Sequence, residues 1–402
     1  MLGSAEALCH QPDVRLFVAS VSPRVQKLTC LEGEYITYYL LPYGKGNHKV
    51  NHEYEPLWKS VRDEVKPDVV HIHGTEYSHG LAYLEACGAS NVCVSIQGLV
   101  SAYYYYYYYG LTRCEIRKAM TPFSIIRGGI IKGYNDFKHR GKIEVEIIKR
   151  VHHVIGRTSW DRERTWAINP DALYHYGGET LRSDFYTGEI WKHEKCTSHS
   201  IFISQAAYPI KGLHMLLRAM PLIIRKYPDT TVRVAGDNIA FLKGRMALLR
   251  LSNYGAIIRK LIKKNNLYHC ISFTGQLDGE GMRQEYLNCN VFVCPSSIEN
   301  SPNSLGEAQM LGVPVIASYA GGIPDMMKGD EDHLYRFEEV EMLAYKICEV
   351  FNRGESINTE PMRQRALLRH DPDKNSKDLL ETYKIILKEI KSSSPTLSMG
   401  YF

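Results

Sequence analysis

Short apolar runs, each followed by a stretch of helical periodicity, recur along the chain and narrow what it can fold into. Four stand in the first half, at Val14–Val21, Val69–Ile72, Val92–Ile96 and Val151–Ile155. Four more follow at Ile201–Ser204, Val232–Ala235, Val291–Val293 and Val313–Ala317. Continuous runs of this length suit strands covered on both faces, as in a parallel sheet. Helices intervene: Leu213, Leu216, Leu217, Met220 and Ile223 line one helical face. The alternation predicts an α/β protein of two doubly wound, Rossmann-like domains. A length of 402 residues agrees, being more than one hydrophobic core usually organises.

The expected boundaries are residues 1–190 for an N-terminal domain and 191–370 for a C-terminal one, with a crossover helix and tail at 371–402. The polar stretch Trp191–His199 reads as the linker. Leu379, Leu380, Tyr383, Ile386, Leu387 and Ile390 mark the amphipathic crossover helix, with a frayed tail after it. Met1–Leu8 reads as the end of a helix leading to Pro12, so the opening strand and Gly-rich turn of the first domain are expected to be missing.

Apolar residues make up 44% and charged residues 23%, an ordinary globular balance that excludes a disordered chain. The ten cysteines form no CxxC and no zinc-ligand spacing, which points to reduced thiols and a cytoplasmic protein. No apolar run reaches the roughly 18 residues of a membrane span. The net charge of +5 is local, because residues 112–150 hold ten Lys/Arg against four Asp/Glu. Such a patch suits an anionic substrate or a peripheral place at the inner face of a membrane, and nucleic acid is not expected.

Chemistry concentrates in VFVCPSSIENSPNSLGEAQMLGVPVIASYAGGIPDMM, residues 291–327. A buried strand ends at Pro295, a polar loop carries Glu299, and a helix begins around Asn303–Ser304 with Glu307 in its first turn. A helix N-terminus at the carboxyl end of a parallel strand is an anion site. There the amides of Asn303, Ser304 and Leu305 would face a phosphate while a carboxylate takes two ribose hydroxyls. Gly321 and Gly322 would let backbone approach a ligand closely. A pair of Glu residues eight apart means little alone; the ordered series of strand, loop, helix and Gly-Gly is what carries weight.

This segment resembles the donor-binding signature of retaining glycosyltransferases of family 4, whose fold is called GT-B: two Rossmann-like domains facing a cleft. The E-x7-E motif of that family matches Glu299 and Glu307. The resemblance implies that Glu307 holds the nucleotide ribose and Glu299 the hydroxyls of the transferred sugar. ISQAAYPIKGLHMLLRAMPLI, residues 203–223, is similar to the family's strand-to-helix turn. It places Lys211, before Gly212, against the donor diphosphate, where it would offset charge on the leaving group without a metal. The family's Arg five residues earlier is Ala206 in this chain.

DVVHIHGTEYSHG (68–80) and CVSIQGLV (93–100) resemble strand ends on the acceptor or sugar side. His71 and His73 alternate on the strand, so only one is expected to face the site, and His73 beside Gly74 is the choice. The family's His-Gly is Gln97-Gly98, and Gln can hydrogen-bond but not act as acid or base. Thr158 and Asp161 have capping-box spacing. Tyr103–Tyr109 would form a sugar-stacking platform, an interfacial anchor or a tolerant exposed loop. FSIIRGGIIKGYNDFKHRGK, residues 123–142, mixes Ile with cations as a membrane-surface segment does, or as a solvated basic face does. The D-x-D matches at Asp330–Asp332 and Asp371–Asp373 fall in polar stretches and are not expected to bind metal.

The implied reaction takes a nucleotide-sugar as substrate and a glycan or lipid-linked acceptor, with no cofactor, in polysaccharide or cell-surface glycan assembly. Two other readings stay open: a non-catalytic, N-terminally shortened glycosyltransferase-like protein, and a nucleotide-sugar epimerase.

Overall fold

The computed structural model describes residues 5, 8–11, 13–42, 54–242, 244 and 247–393. The expectation for Met1–Leu8 and that for the tail beyond Ser393 lie largely outside them. In chain order the strands are β1 (Leu16–Ser22), β2 (Thr29–Glu32), β3 (Ile36–Pro42), β4 (Val70–His73), β5 (Val92–Ser95), β6 (His153–Gly156) and β7 (Leu173–Tyr176). They continue with β8 (Ser200–Ile203), β9 (Thr231–Val234), β10 (Ile271–Phe273), β11 (Val291–Cys294), β12 (Val315–Ser318) and β13 (Leu334–Tyr335). Seven helices bear on the argument: α1 (Arg113–Lys118), α2 (Pro122–Arg127), α3 (Gly129–Arg150), α4 (Leu213–Lys226), α5 (Asn253–Lys264), α6 (Asn303–Met310) and α7 (Pro372–Ser393). All eight strands expected from apolar runs form.

The chain divides into two compact units: residues 1–101, 139–180 and 371–402, and residues 102–138 and 181–370. The division differs from one drawn at residue 190. Trp191–His199 is no free linker, because the Trp191 indole is buried, donates to the Cys289 carbonyl at 2.8 Å and so packs with the second unit. Residues 102–138, which hold the whole tyrosine run and much of the basic segment, also pack with the second unit.

In the first unit β4–β5–β6–β7 form a parallel four-stranded sheet. Its inner residues Cys93 and Ile155 pack against Ile386 of α7, with Leu379, Tyr383 and Ile390 around them. The 3.6-residue period of α7 thus covers one face of that sheet. A separate ladder, β1–β3–β2, holds one parallel and one antiparallel pair, so this part departs from a purely parallel sheet.

The second unit is built on six parallel strands in the order β10–β9–β8–β11–β12–β13. The strand order reverses between β8 and β11, the doubly wound arrangement in which ligands bind beyond the carboxyl ends at the switch point. Strands β8, β11 and β12 are buried at every position, as their unbroken apolar runs require. Aromatic packing of Phe202, Tyr286 and Phe292 fills the space beside the switch.

Candidate functional site at the switch point of the second unit

The chain leaving β8 makes a tight turn, Pro209–Lys211, before entering α4. Gly212 closes that turn at φ +71°, and a Cβ there would lie 1.6 Å from the Pro295 carbonyl oxygen. Only glycine lets the two loops touch. The Ser297 amide then donates to the Ile210 carbonyl at 2.8 Å, tying the loop after β11 to the turn after β8.

This tie brings Lys211 and Glu299 together across 88 residues of sequence, with Nζ 2.5 Å from Oε1. Ser296 Oγ donates to the same carboxylate oxygen at 2.9 Å. Both charged side chains are mostly buried. Burial disfavours the Lys211 ammonium, but the Glu299 carboxylate outweighs it and holds Lys211 above its ordinary range. Lys211 is therefore a fixed positive charge at the switch point, and its ammonium also lies 5.8 Å from the Tyr208 ring.

Helix α6 starts beyond β11 without a side-chain cap. Its first N–H groups have no intrahelical acceptor by the geometry of any α-helix, which applies to Asn303 and Ser304. Leu305 differs from expectation: its amide donates to the Pro302 carbonyl at 3.0 Å in a tightened first turn. Asn303 is exposed and Ser304 partly so. Glu307 is buried one turn along; burial raises its pKa, and Arg182 works against that rise. Arg182 Nε and a terminal guanidinium nitrogen stand 2.9 and 2.8 Å from Oε1, and the Tyr286 hydroxyl donates to Oε2 at 3.3 Å. Arg182 also stacks on Phe185, with 5.0 Å from guanidinium carbon to ring centre.

After β12 the chain turns at Gly321, φ +58°, where a Cβ would sit 2.0 Å from the Glu299 carbonyl oxygen. Gly322 N–H donates to that carbonyl at 2.9 Å. The Gly-Gly turn thus fixes the backbone of Glu299 from the far side. Lys211, Glu299, Glu307, Gly321 and Gly322 all belong to this one unit.

Sequence reasoning missed Arg182. It stands 125 residues before its partner, and no local pattern singles it out.

His73, Gln97 and Gly98 belong to the first unit. His71 and His73 do not point to opposite faces: residues i and i+2 of a strand share a face, and their rings stack at 4.0 Å. His71 is held by the Tyr383 hydroxyl at 2.7 Å and by Ser95 Oγ. Burial keeps both rings neutral, pushing His73 down to about 4. The Gln97 carbonyl oxygen accepts from Arg157 at 3.1 Å, and Arg157 pairs with Glu179. Gly98 follows between Gln97 and buried Leu99. The Thr158–Asp161 capping box forms as its spacing predicts.

Glu144 on α3 is fully buried, accepting from Thr75 Oγ1 at 3.1 Å and from the amides of Val100 and Ser101 at 3.2 and 2.8 Å. Burial lifts it to about 7. The apolar–charged alternation of α3 hid this residue among solvated acids.

The tyrosine run is fixed more firmly than a tolerant loop. Ser297 Oγ donates to the Tyr106 carbonyl at 2.9 Å, and His214 Nε2 donates to the Tyr109 carbonyl at 3.0 Å. Tyr107 is buried; Tyr105 and Tyr109 are exposed. Asp330 of the first D-x-D match is ion-paired with Arg365 at 2.5 Å. Asp371 of the second caps its own helix through the Lys374 amide.

Residues 198–353 match the family model described as glycosyl transferases group 1. Among curated proteins, the chain is 25% identical over 178 residues to the GDP-mannose-dependent monoacylated alpha-(1-6)-phosphatidylinositol monomannoside mannosyltransferase of Corynebacterium glutamicum. That alignment takes in 42% of this chain and 41% of the relative. The chain spans less than half the length of the curated relatives it matches. Among solved structures, sucrose-phosphate synthase from Thermosynechococcus elongatus aligns with a TM-score of 0.66 at 16% identity, covering 96% of this chain and 92% of that one. Anabaena Alr3699/HepE in complex with UDP aligns with a TM-score of 0.60 at 15% identity, covering 87% and 86%. The fold is the one these structures share, the GT-B class.

Proposed function

We propose, for a chain whose residues 198–353 are a glycosyl transferases group 1 segment, that it transfers a sugar from a nucleotide-sugar donor to a hydroxyl of a glycan or lipid-linked acceptor. The observation that carries this reading is the cluster at the β8/β11 switch point, where buried Lys211 pairs with Glu299 and Glu307 lies one turn into α6. In this reading Lys211 and the amides of Asn303 and Ser304 take the donor diphosphate, and Glu307 takes the ribose hydroxyls. Glu299, fixed by Ser296 and by the Gly321–Gly322 turn, orients the sugar.

The bond from the anomeric carbon to the diphosphate oxygen breaks while the acceptor oxygen bonds from the same face. The acceptor's proton passes to a donor phosphate oxygen, and the configuration is retained. His73, Gln97 and Gly98 serve the acceptor or sugar side; neutral His73 offers a hydrogen bond rather than a charge. A fixed ammonium and helix amides meet the diphosphate charge, so no metal is required. Nuclear magnetic resonance of the product tests this: retention supports it and inversion refutes it.

The relative from Corynebacterium glutamicum is named for a phosphatidylinositol monomannoside, which supports a lipid-linked acceptor. For such an acceptor we place the protein in the cytoplasm, peripherally at the inner membrane face. The HepE complex supports UDP as the first nucleotide to try. A role in polysaccharide or cell-surface glycan assembly follows from such acceptors.

One observation favours a second reading, a non-catalytic glycosyltransferase-like protein. Both carboxylate oxygens of Glu307 are engaged by Arg182 and Tyr286, where ribose hydroxyls would go. A protein that binds no nucleotide would keep that arrangement.

A further inference from the structure

We infer that α2 is a docking surface for an anionic lipid bilayer. It supplies the surface for the peripheral placement proposed above and does not depend on the transfer reading. Three observations carry it: two isoleucines held outward, a belt of cations around them, and a mounting that keeps both in place.

Ile125 and Ile126 are 68% and 80% exposed. Met120, just before α2, and Ile131, just after it, are exposed as well. A helix this short would ordinarily turn such residues inward. It does not, because its other face is committed. Thr121 caps the helix in a capping box with Ser124, and Thr121 Oγ1 donates to the Leu251 carbonyl at 2.6 Å. Ser124 is buried, and its hydroxyl donates back to the Thr121 carbonyl at 2.9 Å.

The other end is pinned too. Gly128 caps it at φ +84° and donates to the Ser124 carbonyl at 2.8 Å. The Ile130 amide donates to Asn253 Oδ1 of α5 at 3.1 Å, and Gly129 lies where any Cβ would strike that same oxygen. The polar face is locked onto α5 and the loop before it, so the apolar face must look outward.

Charge decides the partner. Residues 113–132 contain Arg113, Arg117, Lys118, Arg127 and Lys132, all exposed, and one acid, Glu115. Glu115 is itself ion-paired with Arg218 at 2.8 Å. Exposed apolar tips ringed by cations match the boundary between acyl chains and anionic headgroups. The surface is smaller than the sequence suggested: Tyr134 and Phe137, farther along α3, pack against Tyr104 and Tyr107 instead of reaching outward.

The test is co-sedimentation with vesicles of phosphatidylcholine alone and of phosphatidylcholine with phosphatidylglycerol. Wild type, I125S/I126S and R117Q/K118Q/R127Q are compared, with circular dichroism confirming the fold of each. Wild type is expected to bind the anionic vesicles, less so at high salt, and to leave phosphatidylcholine alone. The isoleucine variant should lose about tenfold in partitioning, and the charge variant should lose the preference for phosphatidylglycerol. Negligible binding of wild type to both vesicles overturns the inference. So does anionic binding that both variants keep, or an isoleucine variant that changes only the oligomeric state in light scattering.

Discussion

The second unit gathers full charges at its switch point, whereas the strand ends of the first unit mix neutral groups with the buried pairs Arg157–Glu179 and Arg140–Glu76. In the second unit, Lys211–Glu299 and Arg182–Glu307 bring full charges to the switch point of a parallel sheet. In the first unit, the ends of β4 and β5 carry neutral His71 and His73, an amide at Gln97, and Glu144 lifted to about 7. A buried cation such as Lys211 suits a diphosphate, which brings the charge that can replace Glu299. Neutral imidazole and amide groups suit sugar hydroxyls, which bring hydrogen bonds and no charge. The contrast between Lys211 and the neutral pair His73 and Gln97 is what the proposed division into a diphosphate side and a sugar side predicts.

The comparison breaks first at Gly212. Gly212→Ala must relieve both a left-handed backbone and a 1.6 Å approach to Pro295. We expect a loss of about 4 kcal/mol or more in urea unfolding; a variant as stable as wild type would mean that the loops do not touch. Lys211→Ala comes next. It leaves the mostly buried Glu299 without its counter-charge, at an expected cost of about 3 kcal/mol, and lowers turnover by about a hundredfold. Loss of stability with unchanged turnover would make Lys211 a structural cation only.

The first unit is tested by pH. Unfolded His titrates near 6.5 and folded His73 near 4, so the unfolded chain takes up the proton first. That contribution is fully present above about 6.5 and is lost as pH falls toward 4, by up to about 3 kcal/mol. Glu144 has the opposite sign, since its folded value near 7 exceeds the ordinary carboxyl value. Its contribution is present below about 4.5 and is lost as pH rises through 7. Urea midpoints across pH 4–8 should therefore change slope in opposite directions in His73→Gln and Glu144→Gln.

The smallest effect is expected at Arg182. Its side chain is 42% exposed, so its pair with Glu307 is partly screened. Arg182→Ala should tighten nucleotide binding about threefold by removing a competitor for Glu307. Weaker binding would make Arg182 part of the nucleotide site instead.

Much of the second unit was legible because buried parallel strands leave unbroken apolar runs, and the loops after β8 and β11 follow them directly. That logic puts Glu299 in the loop and Glu307 in the helix after β11, while Lys211 and the roles of all three came from the resemblance to the family's motifs. Five strands escaped, and four of them were of another kind. Thr29–Glu32 is largely exposed and antiparallel, Leu173–Tyr176 lies at a sheet edge, and Leu334–Tyr335 is two residues long. Ile271–Phe273 is three residues long, and none of these four leaves an apolar run to read. Ile36–Pro42 does leave one, but it follows Thr29–Glu32 with no helix between and so stands outside the strand–helix rhythm. Arg182 and Glu144 act through partners more than forty residues away, and periodicity carries no information about such pairings. The His71–His73 error was of geometry, since a period of two places them side by side.

The central claim is that the second unit binds the nucleotide of a sugar donor through Glu307. Isothermal titration calorimetry of UDP, GDP and ADP, on wild type and on Glu307→Ala, tests it most directly. The account predicts saturable binding of one nucleotide by wild type and its loss in a variant that still folds. A folded wild type that binds none of the three, or a variant that binds as well as wild type, would contradict it.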